Sequence, residues 1–286
     1  MARQNESGKM KIKFLGTGAS EAIPAFFCGC PVCESARKNG GKEIRTRAGV
    51  VIDDRLMIDF GPDTLLHTLY TGLDLSKIKS VLFTHSHSDH FYAFDLLARS
   101  LYSGEGAPND ILKVYGSAAI KNGLIDSVWY NKERVFDRIS FCEIAAEREF
   151  FAEGYKITPI GVIHIPTEPC FMFLIEKDGK AYLHVHDSDF PTERAFAFLK
   201  DKGVKLNAVT FDCTYGLIKT EYGGHMNLYQ NIRAKERLIK DGTADGNTKF
   251  YSSHICHKAG SFDDIAREAG KNGIEVAYDG LETEIL

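Results

Sequence analysis

At 286 residues with 44% hydrophobic content, the chain is long enough to bury a sizeable core, as one large domain or two smaller ones. A formal net charge of −4 gives no overall electrostatic reason to bind nucleic acid or an anionic membrane, and no apolar run approaches the roughly 18 residues that span a bilayer. Seven cysteines form an odd set with three crowded into one hexapeptide, which argues against a disulfide framework and for reduced thiols in a cytoplasmic protein.

Residues 1–10 are polar and lack the apolar segment of a secretory signal, so they are expected to form a disordered tail ahead of a single domain over 11–286. Lys11-Ile12-Lys13-Phe14-Leu15 alternates as a half-buried strand does and stops at Gly16-Thr17-Gly18. That turn lacks the third glycine of a dinucleotide fingerprint and the Gly-Lys-Ser/Thr of a P-loop, and reads as a tight turn bringing backbone close to a site. Cys28, Cys30 and Cys33, interleaved with Gly29 and Pro31, then read as three ligands of a structural zinc knuckle. A closed tetrahedral site needs one further Cys or His, which spacing does not identify.

Residues 49–52 and 55–58 read as a hairpin about Asp53-Asp54, whose second strand delivers Asp59. His67 falls in a helical pattern and reads as a structural or surface histidine. After the apolar run Val81-Leu82-Phe83 comes Thr84-His85-Ser86-His87-Ser88-Asp89-His90. His85 and His87 are two apart, so extended chain points both to one side. Imidazole and carboxylate are ligands of zinc, manganese and iron, and four donors this dense overfill one open site. The stretch is therefore expected to serve two metal ions.

A helix is predicted over 91–102, strands over 111–115 and 139–144, and a helix over 117–126 between them. Trp129 and Tyr130 read as core or interface packing. His164 ends the apolar run 157–163, and a lone histidine there would ordinarily be a core residue. The apolar strand 171–175 turns at Lys177-Asp178-Gly179-Lys180 into Ala181-Tyr182-Leu183-His184-Val185-His186-Asp187. His184 and His186 are expected to support the site or the core rather than ligate. Strand 207–211 ends at Asp212, and Gly223-Gly224 present His225 ahead of a helix predicted over 228–238. Finally, 249–253 delivers His254.

Asp59, His85, His164, Asp187, Asp212 and His254 thus each follow an apolar or strand-like run. Ligands gathered at the carboxyl ends of several strands make a rim site on a layered α/β scaffold. No fixed-period repeat or low-complexity linker divides the chain.

The pattern His-x-His-x-Asp-His after an apolar strand resembles the metallo-β-lactamase superfamily of hydrolases. Within it, the cysteine motif and the presented His225 resemble the accessory phosphodiesterases of carbon–phosphorus lyase pathways, which open a ribosyl 1,2-cyclic phosphate. The resemblance implies a four-layer αββα sandwich. It also implies that His85, His87 and His164 hold one divalent ion (zinc or manganese), that Asp89, His90 and His254 hold another, and that Asp187 bridges them. Asp59 supports the ligands from behind. His257, in His254-Ile255-Cys256-His257, is nominated to complete the knuckle, with Cys256 as competitor. The implied activity is hydrolysis of a small cyclic phosphodiester by metal-activated hydroxide, with His225 and Asp89 as catalytic residues. The expected partner is that small substrate, with neither membrane nor nucleic acid, and a homodimer is one admissible assembly. The alternatives are a ribonuclease Z-like hydrolase, a thioester hydrolase of glyoxalase II type, or a non-catalytic accessory protein like that of pyrroloquinoline quinone biosynthesis, which shares the cysteine motif.

Overall fold

The segment Cys170–Lys177 has no polar residue before Glu176, and such a strand is stable only with both faces covered. The computed structural model, which describes residues 8–101, 108–128, 132–220 and 223–285, places it inside a seven-stranded sheet that is covered on both sides. The first half of the chain runs β1 (Met10–Gly16), α1 (Pro31–Asn39), β2 (Gly49–Ile52), β3 (Leu56–Ile58), α2 (Thr64–Tyr70), β4 (Ser80–Leu82), α3 (Ala93–Leu96), α4 (Ala98–Leu101), β5 (Leu112–Gly116), α5 (Ala118–Asp126) and β6 (Ile139–Glu143). The second half runs β7 (Phe150–Ala152), β8 (Tyr155–Val162), β9 (Cys170–Lys177), β10 (Lys180–His184), α6 (Glu193–Asp201), β11 (Ala208–Asp212), α7 (Leu228–Lys240), β12 (Lys249–Ser253), α8 (Phe262–Lys271), β13 (Glu275–Val276) and β14 (Glu282–Ile285).

Two sheets result, ordered β14-β1-β2-β3-β4-β5-β6 and β13-β12-β11-β10-β9-β8-β7. Each begins antiparallel and turns parallel: β1-β2-β3 then β3-β4-β5-β6 in the first, β7-β8-β9-β10 then β10-β11-β12-β13 in the second. Ile12, Phe14, Val50 and Ile58 from the first sheet meet Ile157, Phe171, Phe173 and Tyr182 from the second in one buried layer between them. The alternate residues Met172, Leu174 and Leu183 face outward, where Phe196 of α6, Leu238 of α7 and Ile265 of α8 cover them. On the far side Val81 and Val114 pack beneath Leu96, Ile120 and Leu124. Period-two alternation on doubly covered strands produces the four layers.

Between the paired Ile52 and Leu56, the turn residues Asp53 and Asp54 have φ of 49° and 54°, and Arg55 N–H donates to Ile52 O to close the hairpin. At Gly16 a Cβ would lie 2.1 Å from the Arg47 carbonyl oxygen, so the Gly16-Thr17-Gly18 turn needs glycine for close backbone approach. His67 is buried, its Nε2 lies 2.9 Å from Thr46 Oγ1, and burial lowers it to about 4, which makes it structural rather than a surface residue. The expected helix over 91–102 is instead two short helices. The Phe91 N–H donates to His87 O and the Tyr92 N–H to Phe60 O, so both residues are committed before a helix can start. Met10, assigned to the tail, opens β1 opposite Ile285 and is buried. Residues 1–7, Trp129 and Tyr130 lie outside the described residues. No helix among those described is long and apolar enough to cross a membrane.

The knuckle closes as a staple. Cys30 is the N-cap of α1, Pro31 opens the helix and Cys33 lies in its first turn. His257 Nδ1 sits 3.3, 3.5 and 3.6 Å from the sulfurs of Cys28, Cys30 and Cys33. Zinc bonds of about 2.0–2.3 Å place tetrahedral ligand atoms roughly 3.3–3.8 Å apart, so the set has the dimensions of a zinc site. His257, and not Cys256, lies with the three sulfurs in this group of potential donors. Burial raises the Cys30 thiol, but hydrogen bonds from the Cys33 backbone and His257 outweigh it and bring it down to about 6. Because metal bound there contributes folding energy, Cys30→Ser should lower the melting temperature by about 5–10 °C, the shift for a loss of roughly 2–3 kcal/mol. The check is calorimetry with a zinc count: a variant that keeps both its zinc and its melting temperature contradicts the structural site.

Candidate metal centre

Parallel pairing is what brings the distant donors together. In the second sheet, His184 pairs with Thr210 and Asp212 with Ser253, so β10, β11 and β12 end side by side and release Asp187, Asp212 and His254 at one rim. In the first sheet Ile58 pairs with Leu82, so Asp59 and the Thr84–His90 loop leave β3 and β4 together. Phe171 N–H donates to Thr84 O at 3.0 Å and joins the two rims.

Two overlapping donor sets form there, each with atoms within 4.8 Å of one another: His85, His87, His164 and Asp187, and Asp89, His90, Asp187 and His254. In the first, His164 Nε2 lies 3.1 Å from His87 Nδ1, and His85 Nε2 lies 3.2 Å from Asp187 Oδ2. In the second, His90 Nε2 lies 3.2 Å from both His254 Nε2 and Asp89 Oδ2. Asp187 serves both, with Oδ2 2.8 Å from His90 Nε2 and Oδ1 3.0 Å from His254 Nε2. All seven expected ligands are therefore assembled, in the two groups the family pattern implies.

These residues fit a pair of divalent ions on three counts. Their spacing suits ligand atoms around ions with bonds of about 2.0–2.2 Å. His85 Nε2 and Asp187 Oδ1 are buried and, although each has a polar neighbour at 3.0–3.2 Å, make no hydrogen bond of proper geometry among the described residues. The charge is also unbalanced. Burial opposes protonation of His90, yet Asp187, Asp89 and Asp59 overturn it and hold the ring well above its ordinary value. For His254 burial is likewise outweighed, mainly by Asp187, and the ring rises to about 10. The carboxylates call for positive charge in the cavity, which bound cations would supply. His164, where burial dominates, falls to about 4 and stays a neutral donor.

Each Nε2-facing ring is held through its other nitrogen, as metal-ligating histidines are. Thr84 Oγ1 lies 3.0 Å from His85 Nδ1, Asp59 Oδ2 2.7 Å from His90 Nδ1, Gly224 O 2.9 Å from His164 Nδ1 and Thr214 Oγ1 2.8 Å from His254 Nδ1. Asp59 also accepts from the Thr84 N–H at 2.9 Å, which places it behind the ligands as expected. Gly61 fits here too: a Cβ would lie 2.0 Å from the Asp89 carbonyl oxygen.

Sequence reasoning missed Glu168. Its Oε1 accepts from the Ser86 N–H at 2.9 Å and from the Ser86 hydroxyl, and its Oε2 accepts from Ser117 Oγ at 2.7 Å. One carboxylate thereby ties the loop between His85 and His87 to the loop after His164 and to the start of α5. Thr84 and Thr214 were missed as supports for the same reason: none of the three carries a spacing signal.

His225 sits at the edge of the centre with part of its ring exposed. Its Nδ1 lies 2.9 Å from Asp212 Oδ2 and 3.1 Å from Thr214 Oγ1. Asp212 Oδ1 already accepts from the Thr214 and Met226 N–H groups, so the His225–Asp212 contact is a hydrogen-bonded pair although both could reach an ion with Asp187 and His254. Burial opposes a charged His225, and the Asp212 carboxylate outweighs it, so the ring lies above its ordinary value. His184 and His186 are buried beneath the rim. His184 Nδ1 lies 2.9 Å from Tyr182 Oη, the His184 and His186 rings are 4.0 Å apart, and neither histidine belongs to a donor group among the described residues.

The chain's likeness to known proteins agrees with this geometry. An octanoyltransferase of Porphyromonas gingivalis (strain ATCC BAA-308 / W83) is 27% identical over 161 residues, which cover 54% of this chain and 31% of that protein. A ribonuclease Z of Staphylococcus carnosus (strain TM300) is 27% identical over 169 residues, 58% of this chain and 49% of that protein. The chain thus spans half or less of the length of these curated relatives. The crystal structure of a diphosphatase from the PhnP family superposes with a TM-score of 0.77 at 22% identity, covering 97% of each chain. The four-layer αββα sandwich is the metallo-β-lactamase fold. Residues 50–251, most of the chain, match the family model described as Anti-Pycsar protein Apyc1, and the chain belongs to that family.

Proposed function

We propose that the protein is a metal-dependent phosphodiesterase acting on small cyclic phosphodiesters, of which a ribosyl 1,2-cyclic phosphate is the model substrate. The observation that carries this reading is His225, tethered by Asp212 at the open edge of a seven-ligand centre. His85, His87, His164, Asp89, His90, His254 and Asp187 would hold two divalent cations, whose chemistry there would be to lower the pKa of water and neutralise phosphoryl oxygens. The chain's own residues do the rest. Asp187, buried between the two donor sets, fixes their separation. Asp212 holds His225 Nδ1, orients the ring and favours its charged form, which leaves Nε2 as the nitrogen that would give a proton to the departing alkoxide. Thr214 holds both His225 and His254 and keeps donor and ligand in register. A filled ligand set at every position supports catalysis over a carrier role, since a carrier needs only the knuckle.

The substrate class is tested with bis(p-nitrophenyl) phosphate, 2′,3′-cyclic nucleotides, a thioester and a transfer-RNA precursor. Turnover of the first two, with the others poor, is expected. Efficient thioester cleavage without phosphodiesterase activity overturns the reading, and preference for the RNA precursor moves it to a ribonuclease.

Asp89→Ala should reduce hydrolysis at least about 1,000-fold, a loss of roughly 4 kcal/mol in transition-state stabilisation, while the fold persists because Asp89 lies at a rim. Near-normal turnover of the metal-replete variant contradicts the dinuclear assignment. His225→Ala should lose turnover mainly for substrates with poor leaving groups and far less for p-nitrophenolate, which departs without protonation. Equal losses in both classes, measured as kcat, remove His225 from the general-acid role.

A further inference from the structure

The ligand histidines of the centre are not all held in the same way. His85, His90, His164 and His254 each have the nitrogen turned away from the donor sets fixed by a hydrogen bond. His87 instead presents Nδ1 to His164 Nε2, and its own Nε2 has no hydrogen-bond partner among the described residues. The position of this ring therefore depends on its backbone, and that backbone is gripped at the preceding residue. Ser86 gives both its N–H, at 2.9 Å, and its hydroxyl to Glu168 Oε1. Glu168 Oε2 in turn accepts from Ser117 Oγ at 2.7 Å. Ser117 is the N-cap residue of α5, yet its hydroxyl makes no capping bond to its own helix and is directed to Glu168 instead. The helix behind it is a fixed post, since Ile120 and Leu124 are fully buried.

We propose that Glu168 is a positioning residue that sets the affinity of one of the two ion sites, the one formed by His85, His87, His164 and Asp187. Two observations give that selectivity. Ser86 stands between His85 and His87, and Glu168 lies just beyond His164 in the chain. A single carboxylate thus joins both loops that carry the three histidines of this set. The other set draws its support from elsewhere: Asp59 holds His90, and Thr214 holds His254. Removing the Glu168 carboxylate releases the backbone under His87 and loosens the first set, while the second keeps its geometry. Groups that hold metal ligands from behind govern affinity by about 10- to 100-fold. The inference rests on the two donor sets and is independent of which substrate the centre takes.

The test is binding of Mn²⁺ to the full chain, followed by calorimetry and by electron paramagnetic resonance, which separates a coupled ion pair from an isolated ion. Imidazole and carboxylate donors accept Mn²⁺, whereas a thiolate knuckle does not favour it. The wild-type chain should bind two equivalents and show the coupled signal. Glu168→Ala should weaken one equivalent about 10- to 100-fold and leave the other within about twofold, so that at equal loading the isolated-ion signal replaces the coupled one. Glu168→Gln should restore most of the loss, because its amide oxygen still accepts from Ser86 and its NH₂ group can donate to Ser117 Oγ. Ser117→Ala keeps the grip on Ser86 but removes its anchor. It should weaken the same ion to a smaller extent, and it carries the test if Glu168→Ala does not fold. Variants that bind both ions as the wild type does, or that lose both equally, overturn the proposal. A wild-type chain that binds a single equivalent overturns the dinuclear centre and the proposal with it.

Discussion

The carboxylate of Asp187 is 2% exposed and lies within 3.6 Å of nitrogens from His85, His90, His164, His225 and His254. A buried negative charge of this kind is costly unless positive charge surrounds it. Five imidazoles from both halves of the chain have to converge on one carboxylate, and that requirement governs the architecture. The parallel halves of the sheets exist at the right place to satisfy it, because parallel neighbours end at the same level and aim their next residues into one space. Antiparallel pairing would alternate the ends and scatter the donors.

Convergence carries a local cost. Asp59, Asp187 and His254 adopt φ of 61°, 45° and 59°, a region non-glycine residues enter rarely and at a cost of order 1–3 kcal/mol each. All three turn sharply at the first step beyond or near a strand end. The surroundings over-determine them: Asp59 N–H donates to Leu82 O, Asp59 accepts from the Thr84 N–H, and Thr214 grips His254. The strained backbone lies in the ligand turns and the rigid layers beneath keep it there.

Much of this was legible in the sequence because ligands follow apolar strands, and apolar strands are the strongest periodic signal a chain carries. His85, His87, Asp89 and His90 stand out by density. His164, Asp187 and His254 need the resemblance to be singled out, since each alone reads as an ordinary residue at a strand end. What was not legible has physical reasons. Helices α1, α6 and α8 begin at Cys30, Thr192 and Ser261 caps, and such caps lie within polar runs that look like loops. Glu168 acts through a hydrogen-bond fork to Ser86 and Ser117, residues distant in sequence. The break near Tyr92 comes from a bridge to Phe60, a tertiary contact that overrides helix propensity.

Strand β14 returns from the second half of the chain to pair with β1 at the edge of the first sheet, Met10 opposite Ile285 and Lys13 opposite Glu282. During synthesis β1 emerges well before β14. Until β14 arrives, the nascent sheet presents an open edge with buried-type residues Met10, Ile12 and Phe14 on it, the kind of template that recruits foreign strands. The lysines at 11 and 13, salt-bridged to Glu282 once the fold closes, put charge on that edge during the wait. With β14 in place the same lysines clasp the two neighbouring strands through Glu282, so charge that suits an open edge also closes it.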